Sequence, residues 1–220
     1  RSYLRNRIHM VEERSRHKTR LTAFEDSYHL KAENTNESTD ELLLEAWKGA
    51  SGSCLHKDYD YRSAHIASST DLIEEIDKEM ALFLKKEKLF NEDYRILLSI
   101  PGIGPTFSAV ALLESGPISR FHKAGNYSSY CGTVQCIGES AGKKLSVRGN
   151  KNCNSYLKWT FGEAARRATN NAQMKFFFKE LLRKHQNRKR EAYAILRNKL
   201  CRCAWFMLKN KVSFDPIAFY

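Results

Sequence analysis

Apolar residues recur three and four positions apart along most of the chain, the period of one helix face. Leu4, Ile8, Val11, Leu21, Phe24 and Tyr28 give such a stripe over residues 1–30. The stripe is thin, and Ser15 and Lys18 interrupt it, as in a coiled-coil arm rather than a helix buried all round. Its flanks carry Arg5, Arg7, Arg14, Arg16, Lys18 and Arg20, a basic face open to nucleic acid or simply to solvent. A polar insertion follows at about 31–69. There Asn34–Thr39 reads as a loop, Thr39 or Asp40 caps a short helix through Trp47, and Gly49 and Gly52 break it. Leu72, Ile73, Ile76, Met80, Phe83 and Leu84 then predict a second helix over 70–90, with Thr70 as its N-cap. Packed antiparallel on residues 1–30, it makes a helical hairpin or an oligomerising coiled coil.

Past residue 93 the apolar density rises. Ile96, Leu97, Leu98 and Ile100 lead into Pro101-Gly102-Ile103-Gly104-Pro105-Thr106. Phe107, Ala109, Val110, Leu112 and Leu113 continue until Gly116-Pro117. Two short helices about a glycine turn predict a helix-hairpin-helix at about 94–116, with an ordinary helical corner as the alternative. Gly102 and Gly104 permit backbone paths that a Cβ obstructs. Free N–H groups at the turn and at Thr106 suit one phosphate. Such contacts position a protein without reading bases.

A short helix ending at Gly132 comes next, then an extended piece at 133–137 and a glycine- and lysine-bearing loop at 138–150. Leu157, Phe161, Ala164, Ala165 and Ala168 predict a helix over 152–169, and Asn170-Asn171 ends it. Arg166 and Arg167 suit its C-terminal end, and Glu163 is spaced to pair with Arg167. Met174, Phe176, Phe177, Phe178, Leu181 and Leu182 read as packing, and residues 188–209 as a last helix. The fold class is mainly α: a helical hairpin or coiled-coil arm followed by a helical domain containing the helix-hairpin-helix. The division falls at 1–92, a helical linker, and 93–220.

Composition adds a partner. Lys and Arg number 37 against 25 Asp and Glu, a net +12, which an anionic polymer explains most simply. No run of 18 apolar residues spans a membrane, and no signal peptide is visible at Arg1-Ser2-Tyr3-Leu4. The chain has no initiator Met and opens within a helix pattern, as the back part of a longer protein does. Its six cysteines form no Cys-x-x-Cys pair and read as reduced thiols in a cytosolic protein. No P-loop, Rossmann glycine pattern, His-Glu-x-x-His or two-metal carboxylate pattern occurs. The best chemical candidate is a serine in 138–150. Ser140 lies between glycines with Lys143, Lys144 and Arg148 behind it, and Ser146 competes. Such a loop serves either as nucleophile and charge clamp or as a phosphate-binding loop without chemistry.

Several segments, in this order, carry a resemblance: Leu97-Leu98-Ser99-Ile100-Pro101-Gly102-Ile103-Gly104-Pro105, Arg120-Phe121, Tyr130-Cys131-Gly132, Ser140-Ala141-Gly142-Lys143, Arg148-Gly149-Asn150 and Tyr156-Leu157-Lys158. Over about 94–170 the chain resembles the C-terminal portion of transposases of the IS110/IS1111 type, also called IS116/IS110/IS902. The resemblance implies a C-terminal transposase domain whose serine attacks DNA and forms a covalent phosphoserine link. It also implies a preceding RuvC-like domain whose acids hold Mg²⁺, a structured guide RNA, and assembly as a homodimer or homotetramer. A bacterial cytoplasmic, nucleoid-associated location follows. By position the nucleophile is Ser140, with Ser146 as runner-up. An alanine intrudes in the Ser-Gly segment, and Val147 stands where a lysine is usual. The nucleic-acid contacts fall on Gly102, Gly104, Thr106, Lys143, Lys144, Arg148, Asn150, Lys151 and Lys158. This chain itself binds no metal or cofactor on this reading, and alone it does not recombine DNA. The alternatives are a non-catalytic helix-hairpin-helix DNA-binding module and a basic oligomerising scaffold.

Overall fold

The computed structural model describes residues 1–27, 54–86, 88–140, 143–149 and 151–219. The predicted loop at Asn34–Thr39, the short helix through Trp47 and the candidate Asn150 lie outside the described residues. The fold is mainly helical. Its helices are α1 Ser2–Ser27, α2 Cys54–Lys86, α3 Lys88–Leu98, α4 Pro105–Ser115, α5 Ala124–Tyr130, α6 Ser155–Ala168, α7 Ala172–Lys184, α8 Lys189–Asn210 and α9 Pro216–Phe219. A 3₁₀ turn spans Ile118–Arg120, and strands β1 Gln135–Ser140 and β2 Lys143–Gly149 form one hairpin. Two compact units result, Ser2–Met80 and Ala81–Tyr220 with Arg1. No helix among the described residues is long and apolar enough to cross a membrane.

In the first unit α1 and α2 run antiparallel. Partners descend along α2 as they ascend along α1. Arg7 donates twice to the Asp77 carboxylate at 2.7 Å, and Arg14 donates to the Thr70 hydroxyl at 3.2 Å. The His17 and His65 rings stack at 4.1 Å, and Phe24 meets Tyr59 at 6.5 Å. Among the described residues, Leu4, Ile8, Ile73, Ile76 and Met80 are the buried apolar residues of these two helices within the unit.

The predicted start of the second helix at Thr70 is corrected. α2 begins at Cys54, because no Gly or Pro interrupts the chain from there to its end. Thr70 lies inside it, and its hydroxyl donates back to the Ile66 carbonyl at 2.8 Å.

The second unit is built around α8. Helices α3, α5, α6, α7 and the 3₁₀ turn all lie against it. Its Leu196, Leu200, Cys201 and Ala204 are fully buried. Each buried leucine contributes about 1.5–3 kcal/mol relative to an exposed one. α4 is apolar nearly all round and is buried accordingly, with Phe107, Ala109, Val110, Ala111 and Leu112 inside. It packs between α3 and α6.

The predicted loop at 138–150 is also corrected. β1 and β2 pair antiparallel, with Ile137 opposite Val147 and an irregularity at Gly138/Glu139. Glycines and lysines made this stretch poor helix. They do not prevent a two-stranded ribbon, whose backbone groups satisfy each other across the pair.

Candidate nucleic-acid interface

The hairpin grows from a clamp that its flanking residues build. Gly132 ends the α5 turn at φ +63, a left-handed conformation that favours glycine. A Cβ there would stand 2.5 Å from the Cys153 sulfur, so glycine also lets the incoming and outgoing strands approach each other. On the incoming side, Asn198 of α8 donates to the Thr133 carbonyl at 3.3 Å and to its hydroxyl at 3.2 Å. Thr133 in turn donates to the Ser128 carbonyl at 3.1 Å. On the outgoing side, the Asn154 amide nitrogen of the backbone donates to the Tyr130 carbonyl at 2.8 Å.

Asn154 holds three elements at once. Its side-chain oxygen accepts from the Leu157 N–H at 3.1 Å and so caps α6. Its side-chain nitrogen donates to the buried Glu114 carboxylate of α4 at 2.7 Å. The result is a hairpin whose two feet are tied to α4, α5, α6 and α8. Asn154 and Asn198 were not among the residues the sequence singled out. The signal for Asn154 was present, since an Asn just before an apolar helix period marks an N-cap. Asn198 had none, because its partner lies 65 residues away.

The register locates the candidates on the hairpin. Ser140 closes β1 opposite Lys143, Glu139 faces Lys144, Ser146 is opposite Gly138, and Arg148 is opposite Cys136. Ser140 and Lys143 are therefore brought together in backbone register, and Ser146 lies further down the ribbon. Lys151 is exposed beyond β2, and Lys158 is half-buried in α6 beside Gly132.

The two glycines of the corner differ. Gly102 has φ +87, and a Cβ on it would lie 2.3 Å from the Ala164 carbonyl and 2.5 Å from the Ala168 nitrogen of α6. It seats the turn on the alanine face. Gly104 is the N-cap of α4 in extended conformation, and a Cβ there meets nothing within 4 Å. Thr106 follows, half-buried in the first turn.

The Arg120-Phe121 pair is structural. The Phe121 ring meets Tyr127 at 5.0 Å, Arg120 lies 4.7 Å over Phe121 and Tyr130, and Trp205 donates to the Phe121 carbonyl at 3.0 Å. Glu163 pairs with Arg166 rather than the predicted Arg167, which lies 4.7 Å over the Phe107 ring. Three positions and the aromatic contact decide that choice. Burial pushes the Cys131 thiol far above its usual range, so it stays protonated and unreactive.

Leu97 through Pro105, Arg120-Phe121, Gly132 and Leu157 are thus positions where turn, aromatic corner, hairpin foot and helix face meet. The family model of the transposase IS116/IS110/IS902 family matches residues 94–179. Over that segment the chain is similar to these transposases. The match begins within α3 and ends within α7, so the matched segment holds the corner, the hairpin and the clamp apart from Asn198, because the central helix α8 lies beyond it. No curated protein matches the chain.

Proposed function

We propose that the chain is the linker and C-terminal transposase domain of a DNA recombinase, and that Ser140 is its nucleophile. The domain takes in residues 93–220, with residues 1–92 as the linker. The observation that carries this reading is the clamped hairpin. A two-stranded ribbon alone is marginal in water, whereas this one is tied at both feet to four helices. Within it Ser140 and Lys143 are neighbours in register. In the reaction the serine oxygen bonds to a DNA phosphorus and the P–O bond to the departing strand breaks. The departing oxygen gains a proton, and the strand stays linked through phosphoserine. Lys143, Lys144 and Arg148 supply positive charge where the phosphoryl group becomes more anionic. Gly104 and Thr106 offer backbone N–H groups at the start of α4 as a separate grip on phosphate, as a helix-hairpin-helix does.

A RuvC-like domain outside these 220 residues supplies acids for Mg²⁺ on this reading, and a guide RNA and a second copy complete the assembly in the bacterial cytoplasm. Mg²⁺ would there stabilise the charge on the transferring phosphoryl group. The test is a covalent protein–DNA adduct, sought with the acidic domain supplied. It is expected with the unaltered chain and absent in Ser140→Ala with DNA binding kept. An adduct that survives Ser140→Ala and disappears in Ser146→Ala moves the nucleophile to Ser146. No adduct with any form leaves the non-catalytic DNA-binding module.

A further inference from the structure

A cleft of about 1280 Å³ opens beside the hairpin foot, where Gly132, Thr133 and Val134 form one wall. α6 lines it with Lys158, Gly162 and Arg166, and α8 with Arg190, Ala194 and Arg197. The spacing on both helices is that of one face. The small residues Gly162 and Ala194 keep the middle open, and a Cβ at Gly162 would meet nothing within 4 Å.

The charge in this cleft is unbalanced. Arg166 is paired with Glu163, and the lining acid Glu191 is engaged by Arg188 at 2.6 Å. Among the described residues, no carboxylate pairs with Lys158, Arg190 or Arg197. Arg197 is the sharpest case. It is half-buried, and its Nε is buried with no hydrogen-bond partner among the described residues. Burial holds its guanidinium below the usual range, yet a guanidinium stays charged. A buried donor left unmade is costly, and an anion with two acceptor oxygens removes that cost.

The spread of charge identifies the anion. Lys158 and Arg166 are separated by about 12 Å along α6, at 1.5 Å per residue. That distance exceeds a single small anion and spans several phosphates of a strand. We propose that this cleft holds the sugar-phosphate backbone of a nucleic acid strand, with Arg197 on the non-bridging oxygens of one phosphate and Lys158 and Arg190 on its neighbours. The inference rests on the recombinase reading for the kind of anion and adds a second station to it. β1 carries the chain roughly 20 Å from the cleft wall at Val134 to Ser140, so gripping and chemistry occupy different places.

The test is anisotropy titration of the whole chain with labelled duplex DNA and with RNA of the same sequence, between about 50 and 200 mM salt. Arg197→Gln is expected to weaken binding roughly tenfold and to lower the salt slope by about one. Gly162→Leu fills the cleft and is expected to weaken binding without lowering the melting temperature, because it replaces a poor helix former in open space. A larger loss on DNA assigns the strand to DNA, and a larger loss on RNA assigns it to RNA; either supports the cleft. If both variants bind as the unaltered chain does, or if that chain binds neither polymer, the cleft proposal is overturned. Ser140→Ala is expected to bind normally, so adduct loss and cleft loss are read independently.

Discussion

The two units are both helical but are held together by different means. α1 buries only Leu4 and Ile8 along its 26 residues, and Arg7–Asp77, Arg14–Thr70 and His17–His65 join it to α2. α8, at 22 residues, buries seven side chains and receives most of the other elements of its unit. A thin apolar seam leaves polar side chains to set alignment. Such contacts choose a register well, but they add little free energy because water competes for them. A helix that is apolar on several sides is instead fixed by shape, and any added or lost atom is felt.

The sharpest test of that contrast is in the apolar unit. Gly102→Ala is expected to cost about 3 kcal/mol or more, since its Cβ would overlap the α6 backbone at a left-handed φ. Gly104→Ala, two residues away in open space, is expected to cost less than about 1 kcal/mol. Denaturant unfolding of both variants makes the comparison, and equal losses would refute the account of the corner. Next in size, Leu200→Ala should lose about 2–5 kcal/mol through a cavity under α8.

A smaller effect is expected in the first unit. Arg7→Met removes a partly exposed bidentate pair and should cost about 1 kcal/mol, less in high salt. Hydrogen exchange along α1 and α2 reads it, and a loss as large as that at Leu200 would erase the distinction between the units.

The smallest effect is a pH dependence. Desolvation first, then the neighbouring His65, Arg20 and Arg62, hold His17 below its ordinary value, with Glu13 opposing them. The unfolded chain therefore binds the proton more readily than the folded one. The contribution is complete above about pH 6.5 and is lost as pH falls through the lowered folded value. An NMR titration of the two histidine rings should show His17 titrating below an ordinary histidine. A value at or above the ordinary one would remove the effect.

The fold was legible wherever local period and punctuation agree. α4 follows from its apolar run between Pro105 and Gly116, and α6 from Leu157, Phe161 and Ala164 behind Asn154. The order of short motifs from Leu97 to Lys158 carried the family, which the match over 94–179 bears out. The start of α2 was misread because Thr70 looks like a cap in isolation, and only the unbroken stretch from Cys54 makes it interior. The hairpin was misread because a strand's stability lies in its partner rather than in its own composition.

By itself, then, the sequence determined the helices, the glycine corner, the basic balance and the segment that matches the transposase family. Each of these is written in neighbouring residues, or in their order. Tertiary structure alone decided that Gly102 is a contact glycine, that α8 is the centre and that both hairpin feet are clamped. It also decided that Arg197 faces a cleft with a donor left over. Those facts depend on atoms brought together from positions tens of residues apart, and no local pattern of apolar and polar residues encodes which distant backbone or carboxylate will arrive. The loop that looked like free contact surface is thereby a ribbon held at its base.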